Sequence, residues 1–219
     1  LDGGEGNDTL RSQSLSGNHT LKGGSGNDKL SATGKNIVLD GGTENDDLNV
    51  NGSLYSNGET SYIADGKATI DGGAGMDDID VYYFNASTIS GGTGDDDIYA
   101  RNDGSAHIKN SATSISGGEG NDKAKVYYHK TASLQGDAGD DRLYTYYVQS
   151  STLNGGAGSD HLSAYIYNRE TIYTAGDYSA AVQSVLDGGE GNDTLDINGY
   201  AESWAGRVDI TANGGAGND

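Results

Sequence analysis

Gly3-Gly4-Glu5-Gly6-Asn7-Asp8-Thr9-Leu10 opens the chain and returns letter for letter as Gly188-Gly189-Glu190-Gly191-Asn192-Asp193-Thr194-Leu195. Between the two, the phrase recurs with small changes. Its Asp falls at Asp28, Asp46, Asp77, Asp96, Asp122, Asp141 and Asp160, and Asp219 closes a tenth copy. Calcium takes six or more hard oxygens at about 2.3–2.6 Å, and curved backbone presents its carbonyls at that range only where side chains are absent. Glycine supplies that absence and also tolerates positive φ. One carboxylate per copy, always in the same glycine setting, describes a metal-binding array built by repetition.

Measured from first Gly to first Gly, the copies are spaced 20, 18, 31, 19, 26, 19, 19, 33 and 26 residues apart, so the base period is near 19. No amphipathic stretch long enough for a helical repeat is present, and a coil of this length holds two short strands and two turns. Within a coil, Ile79 and Val81 share one face while Asp80 and Tyr82 share the other, the period of two that a strand requires. The same inward pair recurs as Leu30 and Ala32, Leu48 and Val50, Ile98 and Ala100, Leu143 and Thr145, Leu162 and Ala164, and Leu195 and Ile197. A second inward column precedes each Gly pair, at Leu1, Leu21, Leu39, Ile70, Ile89, Ile115, Leu134, Leu153 and Leu186. The two columns predict a thin core between two parallel sheets, an all-β parallel roll of about ten coils spaced about 4.8 Å apart. The longer spacings predict insertions at 51–61, 102–107, 168–180 and 199–206.

Composition agrees with an ion-supported fold. Only 33% of the 219 residues are apolar, 37 are Gly and none is Pro, so the chain alone has too little apolar surface to offset its ordering entropy. The 33 acidic residues against 13 basic ones give a formal charge of -20, which argues against nucleic acid and anionic membrane as partners. One divalent ion between each successive pair of phrases, about nine in all, would bring roughly +18 and nearly cancel that excess. The absence of Cys excludes disulfides and thiolate metal sites. No apolar run has the length of a membrane span, and no signal peptide is recognisable. The chain reads as an excerpt of a longer array.

These phrases resemble the hemolysin-type, or repeats-in-toxin (RTX), calcium-binding nonapeptide Gly-Gly-x-Gly-x-Asp-x-aliphatic-x. The resemblance covers residues 1–219 as one domain and implies a right-handed parallel β-roll, with the first six residues of each phrase forming a turn. It implies calcium held between stacked turns by Asp8, Asp28, Asp46, Asp77, Asp96, Asp122, Asp141, Asp160, Asp193 and Asp219. Backbone carbonyls would join them, at Gly4, Gly6, Gly24, Gly26, Gly92, Gly94, Gly118, Gly120, Gly156, Gly158, Gly189 and Gly191. Tandem members repeat every nine residues and bind ions along both sides. Here the alternate half-coil is ordinary sequence such as Tyr82-Tyr83-Phe84-Asn85-Ala86-Ser87-Thr88, so one side alone is expected to carry calcium. Glu44 replaces the third Gly of its phrase, Asp137 the second, Met76 stands where Asn or Asp is usual, and Ala124 replaces the aliphatic residue.

Other features carry weaker signals. Tyr82, Tyr127, Tyr146 and Tyr165 fall three residues after their coils' aliphatic anchors and predict an outward column interrupted by Arg101, a candidate surface for a cell-surface glycan or protein. The four histidines, His19, His107, His129 and His161, share no metal-ligand spacing. Trp204 sits in the last insertion. No nucleophile elbow or paired-acid cleft is recognisable, so no catalysis is expected. An ice-binding role would want a Thr column at the third position of the phrase, and that position reads Glu5, Ser25, Thr43, Ala74, Thr93, Glu119, Ala138, Ala157, Glu190 and Ala216. The expectation is a calcium-binding structural segment of a secreted or cell-surface bacterial protein such as an adhesin, a toxin or an exported enzyme.

Overall fold

A computed structural model describes residues 1–14, 17–56, 59–62, 65–102, 111–168, 182–201 and 208–219. Its regular structure is entirely β. Each coil contributes one strand ending in the Gly pair and one strand beginning just after the Asp. The first kind pair side by side into a ten-stranded parallel sheet: Asp2–Glu5, Asn18–Ser25, Asn36–Thr43, Lys67–Ala74, Ala86–Thr93, Ala112–Glu119, Thr131–Ala138, Ser150–Ala157, Val182–Glu190 and Val208–Asn213. The second kind form a nine-stranded parallel sheet: Thr9–Gln13, Lys29–Thr33, Asp47–Asn51, Asp78–Tyr82, Asp97–Arg101, Lys123–Tyr127, Arg142–Tyr146, His161–Asn168 and Thr194–Ala201. The chain crosses between the two large sheets twice per coil and pairs each of their strands with its counterpart in the next coil, which is a parallel β-roll.

Register follows the phrase. Gly4 lies beside Gly24, Gly24 beside Gly42, Gly42 beside Gly73, and Leu10 beside Leu30. The differing coil lengths are absorbed elsewhere. In the 31-residue coil an antiparallel hairpin, Ser53–Ser56 with Glu59–Tyr62, stands off the stack while Asn36–Thr43 still pairs directly with Lys67–Ala74. Most of the other three expected insertions lies outside the described residues, as do His107 and Trp204.

The core is the predicted pair of columns. Leu30, Leu48, Ile79, Ile98, Leu143 and Leu162 from one sheet meet Leu21, Leu39, Ile70, Ile89, Ile115, Leu134, Leu153 and Leu186 from the other, all nearly fully buried. At 25 cal/mol per Å², each such side chain contributes about 1.5–3 kcal/mol. Ala124 keeps its inward place, fully buried, at the cost of a smaller contact. Leu1 departs from the expected column: it is 63% exposed, because the end strand has a neighbour on one side only. A third inward column, His19, Ile37, Ala68, Ser87, Thr113, Ala132, Ser151 and Ser184, was not legible as core because five of its eight residues are polar. Its hydroxyls satisfy one another, as in the 2.8 Å bond between Ser151 and Ser184.

Candidate metal centre

The Gly pair was expected inside the turn, yet Gly23, Gly24 and Ser25 continue the strand Asn18–Ser25, and only Gly26-Asn27-Asp28 turns the corner. The same holds down the stack as far as Gly188-Gly189, while in the last coil the strand Val208–Asn213 stops before its Gly pair; the ten Asp residues line one edge of the roll. The opposite corner carries Tyr83, Tyr128 and Tyr147. From Asp28 to Asp193 the phrase's Asp is at most 5% exposed; Asp8 is half-buried and Asp219 exposed at the two ends.

Each carboxylate has two oxygens with different fates. The amide N–H of each Asp donates to Oδ1 of the Asp one coil further on, at 2.7–3.1 Å, from Asp8 on Asp28 to Asp193 on Asp219. The Oδ2 atoms of Asp8, Asp28, Asp46, Asp77, Asp96, Asp122, Asp141, Asp160 and Asp193 are buried and accept nothing. A buried carboxylate oxygen without a partner costs several kcal/mol if charged. The orphans recur with the phrase, nine buried acceptor atoms in one file, a setting that favours positive charge.

The glycines show what surrounds them. A methyl placed on the first glycine of any of nine phrases, Gly3 to Gly188, would sit 2.2–2.6 Å from its own phrase's Asp Oδ2 and 2.3–2.8 Å from the next first glycine's carbonyl oxygen. In nine coils an unpartnered carboxylate oxygen and a strand carbonyl thus converge over a bare Cα, two acceptors that a shared cation would reconcile. These first-glycine carbonyls were not among the carbonyls the sequence singled out. The carbonyls that were, such as Gly4, Gly6, Gly92, Gly94, Gly120, Gly156, Gly158 and Gly189, point along the stack at the following coil's glycine, whose Cβ they would strike at 2.5 Å or less. Among the described residues no three side chains of His, Cys, Asp or Glu gather as a ligand cluster. The donor set is one carboxylate per coil plus backbone carbonyls, a hard-oxygen set that fits calcium and does not suit a softer metal.

Burial without a counter-charge raises these acids: Asp96 and Asp141 to about 7 and Asp46 to about 6, with neighbouring carboxylates adding to the shift. Asp77, Asp122 and Asp160 are raised for the same first reason.

A second ladder runs outside the first and in the opposite direction. The residue before each Asp accepts, through its side chain, the backbone N–H of its counterpart one coil on: Asn7 from Asn27, Asn27 from Asn45, Asn45 from Met76, Asp95 from Asn121, Asn121 from Asp140 and Asp140 from Ser159. Met76, with only a thioether, cannot hold Asp95 in the same way, and it is 58% exposed. Glu44 and Asp137 take the left-handed conformation of the glycines they replace, at φ 71° and 75°. Glu44 turns back to accept from Gly26 N–H and the Thr43 hydroxyl at 2.8 and 2.7 Å, and Asp137 accepts from the Ser116 hydroxyl.

A family model for the RTX calcium-binding nonapeptide repeat, of four copies, matches residues 1–14, 22–52, 86–103, 133–146, 150–165 and 184–196. These stretches are RTX calcium-binding nonapeptide repeats. The unmatched RTX phrases are those with Met76, with Ala124 in the aliphatic place, and with Asp219 at its end. Their backbones nonetheless keep register, Gly73 beside Gly92 and Gly118 beside Asp137. No curated protein and no solved structure matches the chain.

The candidate partner-binding residues also come together. Tyr82, Arg101, Tyr127, Tyr146 and Tyr165 occupy one cross-strand column. Tyr127 stacks on Tyr146 at 4.4 Å and Tyr146 on Tyr165 at 4.6 Å, nearly coplanar. Where Arg101 interrupts, Tyr99 from the adjacent column bridges Tyr82 and Tyr127 at 5.8 and 5.3 Å. A second row pairs Tyr128 with Tyr147 at 4.8 Å, and the Arg101 guanidinium lies 5.8 Å over the Tyr128 ring.

Proposed function

We propose that this RTX segment is a calcium-dependent structural roll of a secreted or cell-surface bacterial protein, without catalysis of its own, that folds when it meets extracellular calcium. The observation that carries the reading is the file of nine orphaned, buried Asp Oδ2 atoms, each facing a first-glycine carbonyl. Asp8, Asp28, Asp46, Asp77, Asp96, Asp122, Asp141, Asp160, Asp193 and Asp219 would hold about nine ions with the backbone carbonyls of the same phrases. Bound calcium would supply the positive charge that the loops lack and tie neighbouring coils together.

Without calcium the cost of bringing these carboxylates together falls on a thin core. With it, the stack closes and the two sheets bury their columns. Extracellular calcium modules bind at about 10⁻⁴–10⁻³ M, so cytosolic calcium would leave the chain open and export-competent. Limited proteolysis tests this: at submicromolar calcium the chain is cut throughout, and at millimolar calcium the strands are protected. Equal protection at both levels would refute the gating.

A further inference from the structure

The acidic roll carries one basic face. On the outer side of the nine-stranded sheet, the outward positions of Asp97–Arg101, Lys123–Tyr127 and Arg142–Tyr146 include Arg101, Lys123, Lys125 and Arg142, four of the 13 basic residues in the chain. Against them stands Asp97 alone, so a chain of charge -20 is locally positive by three here. Lys123 is paired with Asp97. Its cross-strand neighbour Arg142 has no ion pair among the described residues and has Lys123 on one side and His161 on the other. Like charges opposite one another in a sheet are unfavourable, and Lys125 is pushed down by burial and by Lys123 beside it. Asp78 and Asp80 bound this face on one side and Asp196 on the other.

Tyrosine hydroxyls border the cations. Tyr146 is stacked between Tyr127 and Tyr165, so both of its ring faces are covered. A sugar or a nucleobase therefore has no ring face to stack on inside this column, contrary to the simplest expectation from the sequence. Three of the tyrosines at the neighbouring corner, Tyr83, Tyr128 and Tyr147, are held at φ 64°, 59° and 59°, a left-handed conformation that costs a bulky residue about 1–3 kcal/mol and that clusters at binding sites.

We propose that this face binds a linear acidic polysaccharide, its carboxylates or sulfates on Arg101, Lys123, Lys125 and Arg142 and its hydroxyls on the tyrosine edges. Charge complementarity selects an anion. The net charge of the rest of the roll disfavours the denser charge of nucleic acid. The four cations lie on three adjacent strands, two coil steps or about 10 Å, which suits a short stretch of an extended chain. The proposal rests on the calcium-folded roll, because only stacked coils bring these residues into one face.

Fluorescence anisotropy on the calcium-loaded chain, with its circular dichroism recorded alongside, tests it. Hyaluronan oligosaccharide is the carboxylate probe, chondroitin sulfate oligosaccharide the sulfated probe, and neutral dextran and oligothymidylate the controls. We expect at least one polyanionic glycan to bind, more weakly as salt rises, and neutral dextran and the oligonucleotide not to bind. Lys125→Gln with Arg142→Gln should weaken binding about tenfold with the spectrum unchanged, and Lys29→Gln, on the same sheet outside the face, should not. Should the double variant misfold, Arg142→Glu alone, at an exposed position, gives the same comparison. Absence of binding to both polyanions, undiminished binding by the variants, or tighter binding of the oligonucleotide would overturn the proposal. A chain whose spectrum does not respond to calcium would instead count against the folding reading.

Discussion

Gly91→Ala separates the oxygen cradle from the ordinary demands of glycine. A methyl at Gly91 would meet Asp96 Oδ2 at 2.3 Å and Gly117 O at 2.6 Å, and no left-handed φ is involved. At Gly6 the position is reversed: φ is 103° and nothing lies within 4 Å of the added methyl. Gly6→Ala should therefore cost about 1 kcal/mol of backbone strain. Gly91→Ala should cost about 1–3 kcal/mol of overpacking, and the loss of one ion at calcium ten times its Kd removes about 1.4 kcal/mol more. If about nine ions bind in one all-or-none step, a tenfold change in calcium alters the folding free energy by about 12 kcal/mol. A penalty of about 3 kcal/mol then raises the calcium midpoint only about 1.8-fold, against about 1.2-fold for Gly6→Ala. The cleaner signal is stoichiometry: calorimetry or native mass spectrometry should count at least one ion fewer in Gly91→Ala and no fewer in Gly6→Ala. Equal ion counts and equal midpoints in the two variants would refute the placement of the ion at the first glycine.

The stack also ranks its aspartates. Asp122 Oδ1 accepts the Asp96 N–H, so Asp122→Ala strands a buried amide as well as an ion ligand, whereas among the described residues no backbone N–H donates to the Asp8 carboxylate. Asp122→Ala should cost about 1–3 kcal/mol more than Asp8→Ala by calcium-dependent melting. Met76→Asn restores the missing rung toward Asp95 and should add about 0.5–1.5 kcal/mol in the same assay. Proton linkage is the third test. Folded Asp96 and Asp141 stand at about 7 against an ordinary 3.8. A raised folded pKa stabilises the metal-free roll fully below the ordinary value and loses that contribution as pH rises through about 7. Calcium needs the ionised form, so its affinity should fall as pH drops from about 7 toward 4, and binding near pH 6 should release protons, read by calorimetry in buffers of different ionisation enthalpy. Equal affinity at pH 8 and pH 5 would contradict the assignment.

The sequence carried most of the fold because both periods are written in single residue types. The Asp of each phrase recurs without a miss, and Leu or Ile marks the two columns that the sheets bury. The cradle was less legible. That Gly23 and Gly24 belong to a strand, and that a first-glycine carbonyl faces each Oδ2, depends on a stacking geometry that no single phrase displays. The outer ladder through Asn27, Asn45 and Asn121 was visible only as a preference for Asn. The column of Ser87, Thr113 and Ser151 was missed because polar residues read as surface until their hydroxyls are seen to pair. Lys123 and Lys125 stand together on one strand, but Arg142 was invisible as their partner, because it follows a whole coil later along the chain and lies one strand spacing away across the sheet.

The central claim is that calcium closes this roll. Calcium titration of the isolated chain, followed by circular dichroism and small-angle scattering together, tests it most directly. The account predicts an expanded chain with little β signal in chelator and one cooperative transition to a compact β-rich rod near 10⁻⁴–10⁻³ M calcium. A chain already compact and β-rich in excess chelator, unchanged by added calcium, would contradict it.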